Sequence, residues 1–182
     1  ITEATAIQKK GRISPNDLGI WKDAHIPKLK KIASFIKQQN SVAGIQLAHA
    51  GRKGSYSSPL DKNGLAHLKP LPISKGGWET IAPSSIPFEI NASPPKEMNI
   101  QDIKDIIFSY ASAAIRANKA NFDLIEIHAA HGYLLHQFYS PISNKRKDRY
   151  GKNTKGRIRL CLEIAEAVRS VWPKEKILSF RI

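Results

Sequence analysis

Four apolar strand patterns alternate with three amphipathic helix patterns along this chain, and this order restricts the possible fold more than any other feature of the sequence. In chain order, the predicted elements are strand 1–7, helix 23–39, strand 42–48, helix 100–120, strand 124–128, helix 155–172 and strand 177–182. Consecutive strands that are joined by helices pair in parallel through right-handed crossovers. The order therefore predicts an α/β fold with one parallel sheet.

Two α/β folds bind ligands at the C-terminal ends of parallel strands, the Rossmann-like sheet and the (β/α)8 TIM barrel. A Rossmann dinucleotide site requires a GxGxxG turn after a strand, and no strand in this sequence is followed by one. The barrel is therefore the better fit. Because that barrel closes with eight strands, the four strands predicted here amount to about half of it.

Apolar spacing predicts the buried face of each helix, and a capping residue predicts where the second helix begins. Asn99 is a suitable N-cap, with Asp102 at the third helical position. The residues predicted to face inward are Leu29, Ile32, Ala33 and Ile36 in the first helix, Ile103, Ile107, Tyr110, Ala114 and Ala117 in the second, and Ile158, Cys161, Leu162, Ala165, Val168 and Trp172 in the third.

A long segment at about 52–98 interrupts the regular pattern and is rich in Pro, Ser and Gly. We predict that it is an irregular loop within one partial barrel domain that covers residues 1–182. Loops longer than about 15 residues usually have a functional role or are disordered.

The chain is basic, with 29 Lys and Arg against 15 Asp and Glu and a net charge of +14. A charge of this size is compatible with a nucleic-acid partner. The lysines, however, are scattered singly or in pairs, as at Lys9 and Lys10, without interleaved aromatic residues or a nucleic-acid motif. This distribution favours a solvated surface, and we expect no nucleic-acid partner.

Several features concern the compartment and the extent of the protein. No run approaches the roughly 20 apolar residues of a membrane span, so we expect no membrane partner. The single cysteine, Cys161, excludes an intrachain disulfide framework and favours a reducing compartment, for which we predict the cytoplasm. The sequence opens at Ile1 without an initiator Met and stops at Ile182 within an apolar run, from which we expect a segment of a longer protein.

Candidate catalytic residues follow the third predicted strand. His128 lies at its C-terminal end, His131 and Tyr133 come three and five residues later, and Gly132 between them permits a tight turn. Two imidazole N–H donors can hold a substrate oxygen on which negative charge develops, while a phenol donates a proton elsewhere. The spacing therefore predicts an oxyanion site with an acid beside it.

Two other interpretations of these residues remain open. A histidine can cap a loop, and Tyr133 can belong to the core. A metal site is the other alternative, but zinc proteases place histidines at i and i+4 with an intervening Glu, whereas the HAAH segment has i and i+3 with two alanines.

Four segments, in this order and at these separations, resemble the old yellow enzyme family of flavin enzymes, in particular its bacterial NADPH dehydrogenase and ene-reductase branch. They are EATAI at 3–7, GRIS with DLGIW at 11–21, GIQLAHAGRK at 44–53 and EIHAAHGYLLHQFYSPISN at 126–144. The match continues through RYG at 149–151 and FRI at 180–182, so that the resemblance covers nearly the whole chain.

The resemblance implies an FMN-binding (β/α)8 barrel, of which this chain would run from the end of the second strand to the fifth strand. It assigns cofactor binding to three residues: Ala4 through its backbone, Gln46 at the pyrimidine edge of the flavin, and Arg181 near N1 and O2, where positive charge stabilises the anionic reduced ring.

The resemblance also implies the reaction. An FMN-dependent oxidoreductase would take hydride from NADPH or NADH and reduce activated alkenes or quinones, with His128 and His131 on the substrate oxygen, Tyr133 as the acid and Lys53 on the substrate side. A small-molecule substrate is thus the expected partner, and a homo-oligomer of the full-length protein is a further expectation. The alternative is an incomplete barrel segment that binds no flavin and has no activity on its own.

Overall fold

A four-stranded parallel sheet with helices packed on one face forms the fold of the described residues. The computed structural model describes residues 1–58, 69–90 and 92–182. In chain order its helices and strands are β1 (Ala4–Ala6), α1 (Ile26–Gln38), β2 (Gly44–Ala48), β3 (Ile81–Ala82), β4 (Lys96–Glu97), α2 (Ile100–Lys119), β5 (Leu124–His128), α3 (Leu134–Tyr139), α4 (Thr154–Val171) and β6 (Ile177–Arg181). The four strands of the sheet lie in the order β1-β2-β5-β6. The predicted alternation of strands and helices is confirmed.

The two faces of the sheet differ in chemistry because side chains alternate along each strand. The apolar set packs against the helices, and Ile45, Leu47, Ile125 and Ile127 are fully buried there. The opposite face carries a row of aligned residues, one from each strand: Ala4, Gln46, Glu126 and Ser179. The next residues on that face, two positions farther along each strand, include His128 and its neighbour in register, Arg181.

The helices cover the apolar face, with α2 packed between α1 and α4. A capping box opens α2, because the Asn99 side chain accepts from the Asp102 N–H at 2.8 Å and the Asp102 carboxylate accepts from the Asn99 N–H at 2.9 Å. This reciprocal pair satisfies two N–H groups at the helix start, as predicted from the sequence. Among the described residues, no helix combines the length and apolar character needed to cross a membrane.

The predicted buried faces of the helices were partly wrong. In α4, Ile158 and Leu162 are 38% and 55% exposed, and the residues that pack inward are Leu160, Ile164 and Val168. The reason is that α4 is apolar along two adjacent stripes, so spacing alone does not determine which stripe faces the sheet. Similarly, Ile32 in α1 is 39% exposed, whereas Leu29 and Ala33 are buried.

The segment predicted as irregular contains a short parallel ribbon of β3 and β4. Its anchor is the buried side chain of Arg146, which donates to the carbonyl of Pro83 at 3.0 Å and to that of Met98 at 2.5 Å. The same guanidinium pairs with the Asp148 carboxylate at 2.5 Å. The ribbon is therefore fastened to the loop that follows α3. Residues 59–68 and 91 of the predicted loop lie outside the described residues.

Candidate active site

His128 ends β5 and is 4% exposed. Its Nδ1 atom accepts a hydrogen bond from the Ala130 N–H at 3.2 Å. Because a neutral imidazole carries one proton, this bond places the proton on Nε2. The backbone after the strand thus selects the tautomer whose N–H group is free to donate away from β5.

His131 and Gly132 form the turn beyond the strand, with φ angles of 57° and 72°. A left-handed conformation costs a residue other than glycine about 1–3 kcal/mol, so His131 is held there by its surroundings. One restraint is the Gly132 N–H, which donates to Nδ1 of His136 at 2.9 Å. The turn brings Nδ1 of His131 to 3.4 Å from Nε2 of His128, with the two rings edge to face.

Tyr133 is the third member of the predicted group, and its ring lies 5.1 Å from that of His128 between centroids. It precedes α3, a short helix that the sequence analysis did not predict. Its side chain lines a cavity of about 490 Å³ together with Ala4 and Asp17. Burial, together with the negative charge of Asp17, raises the pKa of the Tyr133 phenol. The phenol therefore keeps its proton at neutral pH.

His128 is neutral at the same pH. Burial, reinforced by the neighbouring His131 and Arg181, lowers its pKa to about 4 from an ordinary value of 6.5. At pH 7 the ring can donate one hydrogen bond without carrying a charge. A neutral donor beside a protonated phenol is the arrangement that an oxyanion site with an adjacent acid requires.

The Lys53 side chain lies beside His131 and Tyr133, and it extends from the short 3₁₀ turn Gly51–Lys53, which follows β2. Its Nζ atom donates to the His131 carbonyl at 3.0 Å and lies 5.0 Å from the Tyr133 ring centroid. Phe88 contacts the ammonium from another side at 4.8 Å. Burial, and secondarily the charge of Arg52, lowers the Lys53 pKa. The structure thus places the Lys53 ammonium at the histidine turn.

The three predicted cofactor residues share the polar face of the sheet with His128. Ala4 and Gln46 are paired in register on β1 and β2, and Arg181 pairs with His128 across β5 and β6. The Gln46 carboxamide donates to the Glu126 carboxylate at 2.6 Å. A second, smaller cavity on this face is lined by small side chains and by Tyr133, the small ones including Ala4, Ala6, Ala48 and Ala50.

This donor set and this surface fit a flat, polar-edged cofactor such as FMN. Alanine side chains leave room for a planar ring to approach the strand ends, and the Gln46 amide and the Arg181 guanidinium are groups that bind a polar ring edge. The described residues contain no group of three His, Cys, Asp or Glu side chains placed to bind a metal ion.

Three neighbours of this site were not predicted from the sequence: Phe88, Asp17 and Gln137. Phe88 and Asp17 lie in loops whose course no periodicity predicts. Alternation along β5 does place Glu126 on the same face as His128. Gln137 lies on α3, which was not predicted.

Comparison with known proteins agrees with this geometry. The model of the NADH:flavin oxidoreductase / NADH oxidase family matches residues 1–182. An NADPH dehydrogenase of Clostridium acetobutylicum is 44% identical over 182 residues, which are 100% of this chain and 48% of that protein.

Solved structures show the same fold. Morphinone reductase, also solved in complex with tetrahydroNAD, superposes with a TM-score of 0.81 at 29% identity, over 98% of this chain and 48% of that one. Old Yellow Enzyme from Pichia sp. AKU4542 gives a TM-score of 0.81 at 28% identity, over 98% and 45%. The predicted TIM barrel, present here in part, is confirmed.

The chain spans about half the length of the curated relatives it matches, between 43% and 48%. The match to the family model nevertheless extends over every residue of the chain, including the strand ends that carry His128, His131 and Tyr133. The chain therefore belongs to the NADH:flavin oxidoreductase / NADH oxidase family.

Proposed function

We propose that this chain supplies the substrate-activating half of the active site of an FMN-dependent oxidoreductase that takes hydride from NADPH or NADH and reduces activated alkenes or quinones. The observation that carries the proposal is the pair of imidazole nitrogens, Nε2 of His128 and Nδ1 of His131, 3.4 Å apart beside the Tyr133 ring. The tetrahydroNAD complex of morphinone reductase supports a nicotinamide as the reductant.

The residues proposed to hold FMN are Ala4, Gln46 and Arg181. When bound, FMN supplies the redox chemistry, accepting hydride from the nicotinamide and delivering it to the substrate. Gln46 would donate a hydrogen bond to a ring edge, in competition with its bond to Glu126. Arg181, at the C-terminal end of β6, would add positive charge that favours the reduced state.

The two histidines bind and polarise the substrate oxygen. Two nitrogens 3.4 Å apart can both approach one oxygen at normal hydrogen-bond distance, with the oxygen at the apex of a triangle. For both to donate, His128 keeps its proton on Nε2 and His131 carries its proton on Nδ1. An enone or nitroalkene oxygen held in this way becomes more negative, and the β-carbon of the alkene becomes more electrophilic.

Tyr133 supplies the proton that completes alkene reduction. Hydride addition at the β-carbon leaves an electron pair at the α-carbon, and the Tyr133 phenol transfers its proton to that carbon. The Lys53 ammonium, 5.0 Å from the Tyr133 ring, stabilises the phenolate that remains until solvent returns the proton. Quinones take up their protons on oxygen, so they depend less on this acid.

The test is to prepare the protein with the remaining barrel strands present. The proposal predicts a yellow protein whose flavin absorbance is bleached by NADPH or NADH without oxygen and restored by an enone or a quinone. Preparation of residues 1–182 alone tests the alternative of an inactive segment in the same assay. A complete barrel that binds no flavin, or whose reduced flavin no enone or quinone reoxidises, would contradict the proposal.

Two expectations about the whole protein remain predictions. The single free cysteine, Cys161, supports a reducing cytoplasmic location. A homo-oligomer of the complete protein is the other, and sedimentation of the purified protein tests it.

A further inference from the structure

Gln137 is a buried polar side chain on α3 that bonds to two separate loops at once. It is 1% exposed. Its Nε2 atom donates to the carbonyl of Gly132 at 2.7 Å and to that of Ala50 at 3.1 Å, and its Oε1 atom accepts from the Arg52 N–H at 3.2 Å. Only a carboxamide provides two donors and an acceptor in this plane, so the three contacts also determine the amide orientation.

The turn after β2 is shaped to receive this side chain. Gly51 has a φ angle of 59°, and a Cβ atom there would lie 2.3 Å from Oε1 of Gln137. Glycine is therefore needed both for the left-handed backbone and for the space that the carboxamide occupies. The 3₁₀ turn at this position closes through the Gly54 N–H, which donates to the Gly51 carbonyl at 3.1 Å.

The two loops that Gln137 joins carry the functional groups of the proposed site. One loop presents Lys53, and the other presents His131 and Tyr133. Bonds from both sides hold the left-handed turn, because Gln137 binds the Gly132 carbonyl while His136 binds the Gly132 N–H. Without the carboxamide, two hydrogen bonds would still join these segments, from the Lys53 ammonium to the His131 carbonyl and from the Leu134 N–H to the His49 carbonyl at 3.0 Å. Neither of these bonds reaches the Arg52 N–H or the Gly132 carbonyl, which only the carboxamide binds among the described residues.

We propose that Gln137 is a positioning residue, which sets the Lys53 turn and the His131–Tyr133 turn in register with each other so that ammonium, imidazole and phenol converge on one ligand. This inference deepens the proposed function and rests on it for the identity of the ligand. The hydrogen bonds by which Gln137 joins the two loops are a property of the fold, and they are tested separately from the ligand.

Three variants of the flavin-loaded protein separate the contacts. Gln137→Leu removes all three hydrogen bonds to the two loops. Gln137→Glu keeps the acceptor for the Arg52 N–H but places a carboxylate against two carbonyl oxygens, which removes the donors and raises the pKa of the new carboxyl. Gln38→Glu, at the exposed end of α1, introduces the same charge at a distant surface and is the matched control.

The first measurement is amide hydrogen exchange. Gln137→Leu should accelerate exchange of two amides by about five- to tenfold. The Arg52 N–H loses its acceptor, and the Tyr133 N–H donates to the Ala130 carbonyl at 3.2 Å across the turn that Gln137 restrains. Gln137→Glu should accelerate Tyr133 while Arg52 stays protected, and Gln38→Glu should change neither. Unchanged exchange of both amides in Gln137→Leu would overturn the positioning role. Equal acceleration throughout α2 and α4 would also overturn it, because that pattern indicates a general loss of packing.

The second measurement is binding of a phenol to the oxidised protein, followed by flavin absorbance across pH 6–8. Both Gln137 variants should retain flavin and bind the phenol about tenfold more weakly than the parent protein. In Gln137→Glu the affinity for the phenol should recover as pH falls, because the protonated carboxyl can again donate a hydrogen bond. Parent-like affinity in Gln137→Leu would overturn the inference. A parent protein that binds no flavin or phenol would instead contradict the proposed function. The exchange pattern would still show whether Gln137 holds the two loops together.

Discussion

Nε2 of His128 lies 3.4 Å from Nδ1 of His131, and the backbone N–H of Ala130 occupies the other nitrogen of His128. The Nε2–H group of His128 therefore donates the hydrogen bond between the two rings, and Nδ1 of His131 accepts it. A ligand oxygen that both rings bind requires His131 to carry its proton on Nδ1 instead. Binding of one ligand oxygen by both rings would therefore change the tautomer of His131 and leave that of His128 as it is.

We predict this tautomer change as an observable event. In the ligand-free protein at pH 7, the proton of His128 should lie on Nε2, and Nδ1 of His131 should carry no proton because it accepts the hydrogen bond from His128. Addition of a phenol should move the His131 proton to Nδ1 and leave His128 unchanged. Nitrogen-15 NMR of histidine-labelled protein distinguishes these forms, and a His131 that keeps its Nε2 proton in the complex would argue against a shared oxygen.

Replacement of either histidine by alanine should weaken binding of enones and phenols while leaving the flavin content largely intact. Loss of one donor to a developing oxyanion should raise the barrier of the alkene-reduction step by about 2–4 kcal/mol. His25→Ala, at a ring that packs on Trp21 before α1, is the matched control. Unchanged turnover in both His128→Ala and His131→Ala would remove the pair from the site.

Gln46→Ala and Arg181→Ala should both lower the affinity for FMN and shift its reduction potential downward. The reason is that a donor and a positive charge that favour the reduced ring are lost, and each 1.4 kcal/mol of differential stabilisation corresponds to about 30 mV for a two-electron couple. Arg181→Lys keeps the charge and should restore most of the potential. Parent-like potentials in both alanine variants would refute these assignments.

Acid should destabilise the fold through its buried histidines. Burial, with a smaller effect from Lys10, lowers the pKa of His49 to about 3, and His128 falls to about 4. An unfolded histidine takes up its proton near pH 6.5. Between about pH 6.5 and pH 4 the unfolded chain therefore binds more protons than the native one. The free energy of unfolding should therefore be highest above pH 6.5 and fall toward pH 4, by up to about 1.4 kcal/mol per pH unit for each histidine.

Urea unfolding at pH 7, 6 and 5 measures this slope. His49→Asn removes one titrating group and keeps an acceptor for the Gly51 N–H, which Nδ1 of His49 binds at 3.0 Å. The variant should show a smaller loss of stability between pH 6 and 5 than the parent protein. An identical slope would mean that His49 titrates normally in the native protein.

The sheet and one face of the site were predictable because their signals are local. Alternation of Ile125 and Ile127 with Glu126 and His128 placed the imidazole on the polar face, and Asn99 with Asp102 marked the start of α2. Both signals depend on residues within one turn or one strand of each other.

The remaining features depend on contacts between distant parts of the chain. Two apolar stripes on α4 left its orientation undetermined, and Leu160 rather than Leu162 faces the core. Phe88 reaches Lys53 from a loop, and Gln137 meets Arg52 from a helix 85 positions away. No spacing rule in the sequence connects such partners.

The proposed role of Tyr133 as the acid predicts different effects on the two half-reactions. Tyr133→Phe keeps the ring that packs against His128 but removes the phenolic proton. Reduction of the flavin by NADPH or NADH needs no such proton and should proceed as in the parent protein. Reoxidation by an enone should slow by about 10²–10⁴, the typical contribution of a general acid, whereas reoxidation by a quinone should be largely spared.

Stopped-flow measurement of both half-reactions in Tyr133→Phe tests whether Tyr133 is the acid, with Tyr139→Phe, at the end of α3, as the matched control. We expect parent-like flavin reduction, slow reoxidation by the enone and near-normal reoxidation by the quinone in Tyr133→Phe alone. Equal slowing of both half-reactions, or an enone step as fast as in the parent protein, would contradict that role and show that Tyr133 only packs against the histidines.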